Sequence, residues 1–238
     1  MIEEIIADLE RLSDAEKAIG SARFFKTGKG EYGEGDVFIG VNVPDQRKVA
    51  RKYWKEVSLK EVEKLLRGDV HEHRLTALFL LVLKFQRGDD SLRAEIFDLY
   101  LRNMKYVNNW DLVDSSAPYI VGAYLIGAET GMDSARKVLY KLAGSKDLWE
   151  RRIAILSTFA FIKEKDFDDA LNLAEILVND SHDLMHKAVG WMLREIGNRN
   201  MASEEGFLKR HYKTMPRTML RYAIEKFPEE KRRFYMGK

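Results

Sequence analysis

The chain has 238 residues, of which 45% are hydrophobic and 33% charged, with a formal net charge of +2 and no cysteine. That size supports a substantial core, and the missing cysteines exclude disulfides, thiolate metal sites and cysteine nucleophiles. The longest apolar run, LTALFLLVL at 75–83, is too short to cross a bilayer.

The opening MIEEIIADLE carries acids where a signal peptide needs a basic start and an apolar run, so a cytoplasmic chain without membrane contact is expected. Apolar residues at three- and four-residue spacing begin in IIADLERL (5–12), and Ser13 is the expected cap before DAEK. The next stretch, KTGKGEYGEGD at 26–36, satisfies a G-x-G-x-x-G string through Gly28, Gly30 and Gly33. A dinucleotide site needs a strand before it, a helix straight after, and free amides. SARFFKTG does not read as a buried strand, and Glu31, Glu34 and Asp36 would repel a pyrophosphate, so a flexible loop is expected. Up to this point the chain is acidic: residues 1–36 hold nine acids against five Lys and Arg, a net of −4.

Helical periodicity then continues in LKEVEKLL (59–66) behind a Ser58 cap, in HRLTALFLL from His73, and in LRAEIFDLYL (92–101). The segment VNNWDLVDSSAP (107–118) follows. Asn109 is placed to cap a helix carrying Trp110 and Asp114 one turn apart on one face. Asp111 in the first turn complements the helix dipole; Asp114, a turn further in, has less structural reason to be acidic. Pro118 cannot donate to the carbonyl of residue 114, which predicts a break there. Beyond it come SARKVLYKL (134–142), RRIAILSTF from Arg151, FDDALNLAEIL (167–177), HKAVGWMLR from His186, a helix expected to start after Ser203, and PRTMLRYAI from Pro216. His182 and His186 have a metal-compatible spacing, but no third ligand follows in a known pattern, and no metal is expected. Residues 209–238 hold ten Lys and Arg against three acids, a net of +7, which allows a basic surface or simply a solvated basic helix.

No stretch alternates with strand-like period two, and the four prolines fall near helix starts or breaks. About a dozen helices are expected. The helices look paired, and Arg74, Arg152, Lys187 and Arg217 occupy the same place at the start of the second helix of a pair. The step from 74 to 152 is 78 residues, or two steps of 39; the later steps are 35 and 30. This pattern predicts an all-α, HEAT-like helical-repeat solenoid of one domain over 1–238, with a basic concave face lined by those four residues. In such a stack Trp110, Asp114, Arg152 and Trp191 would converge on the concave wall. Each also has an ordinary reading: tryptophan as core, Arg152 as a surface ion pair, Asp114 as a local hydrogen-bonder.

At VNNWDLVDSSAPYIVG the sequence resembles the AlkD-type DNA alkylation repair family, the HEAT-like alkylpurine DNA glycosylases. The resemblance extends from FIGVNVPDQRKVAR at Phe38 through LWERRIAIL (148–156) to HKAVGWMLRE (186–195), covering most of the chain. It implies that Asp114 is the catalytic carboxylate and that Trp110, Arg152 and Trp191 contact the substrate. It also implies a monofunctional glycosylase, without cofactor and working as a monomer. The enzyme would remove cationic N3- or N7-alkylated purines from double-stranded DNA without flipping the base into a deep pocket. The residues suit that chemistry. A cationic purine leaves as a neutral base, so one carboxylate can suffice, stabilising the positive charge that moves onto the sugar. Indole faces attract such cations, and Arg152, Arg74, Lys187 and Arg217 would hold phosphates. The chain departs from the family at HDLMHKAVGW, where Asp183 and Leu184 stand in a segment that is aromatic in its best-described members, and in its Gly/Glu-rich loop. The alternative reading is a catalytically silent HEAT-like module that binds DNA or protein.

Overall fold

The computed structural model describes residues 1–127 and 132–237. Packing divides the chain into two units, Met1–Tyr124 and Leu125–Lys238. The first contains α1 (Ile2–Glu10), α2 (Ala15–Phe24), α3 (Val43–Tyr53), α4 (Leu59–Leu66), α5 (His71–Arg87), α6 (Asp90–Arg102) and the short α7 (Trp110–Asp114), followed by a π-turn over Pro118–Gly122. The division falls within α8 (Ala123–Gly127). The second contains α9 (Met132–Ala143), α10 (Leu148–Lys163), α11 (Asp168–Leu177), α12 (Asp183–Gly197), α13 (Met201–His211), α14 (Arg217–Ala223) and α15 (Glu229–Met236). There is no strand among the described residues; one parallel bridge joins Val37 and Val70. The fold is an all-α helical repeat.

Each unit is organised around one helix that is buried on nearly all sides. In α5, Leu75, Leu78, Leu80 and Leu81 are fully enclosed, and α3, α4 and α6 pack on it. In α10, Ile153, Ile155, Leu156 and Phe161 are enclosed, and α9, α11 and α12 pack on it. A helix apolar on every face has to sit inside its neighbours, which is why these two become the repeats' inner members. Each fully buried Leu or Ile contributes roughly 1.5–3 kcal/mol over leaving it in water.

Local signals set the helix ends. Ser58 forms the full capping box with Glu61. The cap of α2 is Asp14, which accepts from the Glu16 and Lys17 amides, rather than the expected Ser13. Asn200 caps α13 where Ser203 was expected, and the Ser203 amide donates to the Asn200 side chain. In both places a nearby Asx side chain starts the helix instead, a residue type that caps at least as well as serine. In the second unit α12 and α14 meet at Gly190, where a Cβ would lie 2.5 Å from the Met219 carbonyl oxygen and 2.6 Å from the Tyr222 Cβ. Only glycine allows that approach, and it sets Trp191 beside the contact.

Candidate nucleic-acid interface and catalytic carboxylate

The helix carrying Trp110 and Asp114 is anchored by buried charge. His71, the first residue of α5, bridges two acids. Its Nδ1 lies 2.9 Å from Asp36 Oδ2, and its Nε2 lies 2.8 Å from Asp111 Oδ2. Arg74, one turn along, pairs with the other Asp36 oxygen and donates to the Asp69 carbonyl at 3.0 Å. Asn109 caps α7 with its Oδ1, 2.9 Å from the Trp110 amide, and reaches Asp36 with its Nδ2 at 3.2 Å. Burial opposes charge on His71, but hydrogen bonds from the ring to Asp111 and Asp36, and the attraction of both carboxylates, outweigh it and raise its pKa to about 9. His71 is therefore a cation at neutral pH. With Arg74 it balances Asp36 and Asp111, so the buried cluster carries no net charge. Glu72 completes the anchor, accepting from the amides of Ile39, Gly40 and Val41 at 2.8–3.3 Å.

The loop expected at 26–36 is tied into this anchor through Asp36. Asp36 at its end is gripped by three side chains from two later elements. Gly33 presses so close that a Cβ would lie 2.4 Å from the Phe25 carbonyl oxygen. The amides a phosphate would need are taken: Gly28 N–H donates to Glu31 at 2.9 Å and Gly30 N–H to Glu34 at 2.8 Å. The segment before it is helix α2, not a strand.

Aromatic rings continue the anchor outward. Phe38 stacks on His71 with centroids 4.4 Å apart, and Phe25 stacks on Phe38 at 5.1 Å. Trp110 stacks on Phe25 at 5.1 Å with the ring planes 15° apart. Phe24, 64% exposed, meets Trp110 edge-on at 5.8 Å. Offset and edge-on pairs of this kind each add about 0.5–1.5 kcal/mol beyond simple burial. Trp110 is half-buried, and so is Asp114 at the last position of α7. The carboxylate is neither sealed in the core nor fully in solvent. Burial of Tyr100, which bonds Ser116 at 3.0 Å, and the negative charge of Asp114 hold the Tyr100 phenol well above its ordinary range. After Asp114 the ladder breaks as expected. The Ala117 amide returns to Val113 at 2.9 Å, and the Gly122 amide reaches Ala117 at 3.0 Å in the wider π-turn.

The second unit places its candidates on two packed helices. Arg152 of α10 is 4% exposed and donates from Nη1 to the Leu184 carbonyl of α12 at 2.6 Å. Lys187 pairs with Asp183 at 2.7 Å. Trp191 is half-buried, 6.0 Å from the Phe159 ring, and donates from Nε1 to Glu195 at 3.2 Å. Arg217 is exposed and donates to the Met236 carbonyl at 2.8 Å. The His182 ring accepts from the Leu184 amide at 3.2 Å, and His186 Nε2 contacts the Asp180 carbonyl at 2.5 Å, so each ring has a capping or bracing role. The four basic positions equivalent in sequence therefore have four environments. Arg74 and Arg152 are turned inward; Lys187 and Arg217 remain nearer the surface.

A sequence profile described as the DNA alkylation repair enzyme family matches residues 5–227. The chain belongs to this family. Similar solved structures include a predicted DNA alkylation repair enzyme from Enterococcus faecalis, 17% identical, with a TM-score of 0.72, covering 91% of this chain and 97% of that one. The crystal structure of AlkD2 from Streptococcus mutans is also 17% identical, with a TM-score of 0.60, covering 96% of this chain and all of that one. At that identity they speak to the fold alone. A comparison with curated proteins gives no match.

Within this member of the repair family, Trp110 and Asp114 lie on one short helix as their spacing predicts, whereas the roles of Asp36, His71, Glu72 and the Phe25–Phe38 stack in holding that helix are not visible in the sequence. One signal was nonetheless present. HEHR at 71–74 opens directly onto the apolar run LTALFLLVL, and charge of that density at the head of a buried helix demands partners.

Proposed function

We propose that this DNA alkylation repair family member is a monofunctional glycosylase that hydrolyses the N-glycosidic bond of cationic N3- and N7-alkylated purines in duplex DNA. The observation that carries this reading is the placement of Asp114. It is a half-buried carboxylate at the end of a helix fixed by buried ion pairs, one turn from an indole that stacks on Phe25 and meets Phe24 edge-on. Fixed before substrate arrives, the carboxylate has little reorganisation left to do when positive charge develops on the deoxyribose. It would also orient the attacking water. The partly exposed Trp110 face offers a cation–π surface to the lesion or the cationic sugar, favourable by about 0.5–2 kcal/mol. The leaving base needs no proton, so no second acid is required. His71 and Asp111 serve to hold α7, Arg152 braces α10 against α12 from within, and the more exposed Trp191, Lys187 and Arg217 would grip the DNA; no metal or cofactor enters the scheme.

The test is incubation with duplex DNA carrying 7-methylguanine and assay of the released base. The wild type should release it, and Asp114→Asn should lose most of the release. Equal release by the two proteins would refute the role given to Asp114, and no release by the wild type would leave a DNA-binding module.

A further inference from the structure

We propose that a cleft lined by α3, α5 and the segment after α7 holds the sugar–phosphate backbone of the DNA strand, with Arg47 and Arg51 as its phosphate clamp. The choice of DNA as occupant rests on the repair reading above. The cleft has a volume of about 240 Å³ and is lined by Arg47, Arg51, Phe79, Gln86, Ser115 and Tyr119, with a small aliphatic floor. Arg47 and Arg51 lie four apart on α3, so their side chains leave the same face one turn apart. Both are exposed. The Arg47 guanidinium sits 4.0 Å over the Phe79 ring, which orients it without neutralising it.

Charge separates these two arginines from most others. Arg67, Arg136, Arg151 and Arg194 each meet a carboxylate, whereas neither Arg47 nor Arg51 has an acidic partner among the described residues, and no acid lines the cleft. Two uncompensated guanidiniums beside neutral Gln86 and Ser115 are the donor set for a phosphate oxygen, and Arg suits that geometry better than Lys. The aliphatic floor of Ala50, Val82 and Leu83 suits the apolar edge of a deoxyribose. The volume falls below the roughly 300–1,000 Å³ of pockets that enclose whole drug-sized ligands, so it fits a backbone unit and not a purine nucleotide. Ser115 directly follows Asp114 in the chain. A strand seated here is thereby brought alongside the proposed catalytic carboxylate, and the clamp sets the register of that strand on the enzyme.

The test measures binding of unmodified duplex by fluorescence anisotropy across a salt series. It compares the wild type, Arg51→Ala, Arg47→Ala/Arg51→Ala, and the charge-keeping Arg47→Lys/Arg51→Lys, with melting curves for each. The double alanine variant should bind about tenfold or more weakly and lose about 1–2 from the slope of log K against log salt, while the lysine pair keeps the slope. If Arg47→Ala loosens the packing on Phe79, Arg51→Ala alone should still lower the slope by about 1. A folded double variant with unchanged affinity and slope overturns the proposal. It does so even if inorganic phosphate raises the melting midpoint of the wild type and not of the variant, which would make the cleft a small-anion site. The readout is binding and not base release, so absence of glycosylase activity would leave this result standing, and the reverse also holds.

Discussion

His71 carries more of the architecture than its single position suggests, because its two ring nitrogens tie the 26–36 loop to α7 through Asp36 and Asp111. Its folded pKa, near 9, stands above the 6.5 expected in the unfolded chain. Its contribution is therefore complete below pH 6.5 and is lost as the pH climbs through 9, an effect on the order of 3 kcal/mol. Urea unfolding of the wild type between pH 6 and 9.5 should show this fall. His71→Asn should be destabilised by about 3–5 kcal/mol at pH 6.5, because two buried acids lose their cation, and its stability should be flatter across the same range. An unaltered pH dependence in the variant would remove His71 from that role. At this scale the sequence was legible where chemistry was local. Asn109 capping α7 and Pro118 breaking the ladder after Asp114 needed only neighbours in the chain. Asp36 was not legible, because its partners His71, Arg74 and Asn109 lie 35 to 73 residues away, and a run of glycines and acids with no visible partner reads as a loose loop.

Among the elements, α4 matches its periodic pattern end to end, since Leu59–Leu66 has its own capping box and a clean apolar face. Ser58→Ala should cost about 1 kcal/mol by removing one half of that box, read as a shift in denaturant midpoint. Basic residues at repeat starts gave the register of α5, α10, α12 and α14, but register does not fix direction. Arg74 turns inward because Asp36 waits there, and Arg152 because the Leu184 carbonyl does. The junction of α12 and α14 is tighter than any periodicity shows, and Gly190→Ala should destabilise the chain by about 1–3 kcal/mol through overpacking. On α13, burial and the nearby negative charge of Glu205 push Glu204 up to about 9, so it is neutral in the fold at pH 7. The stability tied to that proton is complete below pH 4.5, the unfolded value, and declines as pH rises toward 9. Glu204→Gln should thus gain on the wild type by roughly 3–5 kcal/mol between pH 4.5 and pH 8; no gain at pH 8 would show that Glu204 ionises in place.

At the scale of the whole chain, the fold is a helical repeat and the sequence belongs to the DNA alkylation repair enzyme family, and the physical question is what its charges do. A net charge of +2 is too small for bulk attraction to DNA, so the proposed binding would rest on local clusters such as Arg47 with Arg51. Affinity for duplex should consequently fall steeply between 50 and 200 mM salt, and a flat response would count against a phosphate-gripping surface. Asp111 and Asp114 stand three residues apart: Asp111 holds the helix through His71, and Asp114 is the carboxylate we propose acts on the sugar. Single-turnover release of 7-methylguanine tests that role most directly, run beside melting and DNA-binding measurements on Asp114→Asn. Release should be slowed about 10²–10³-fold, as when one electrostatic stabiliser of a transition state is removed, with melting midpoint and duplex affinity close to wild type. Release at the wild-type rate from a folded, DNA-bound Asp114→Asn would contradict it.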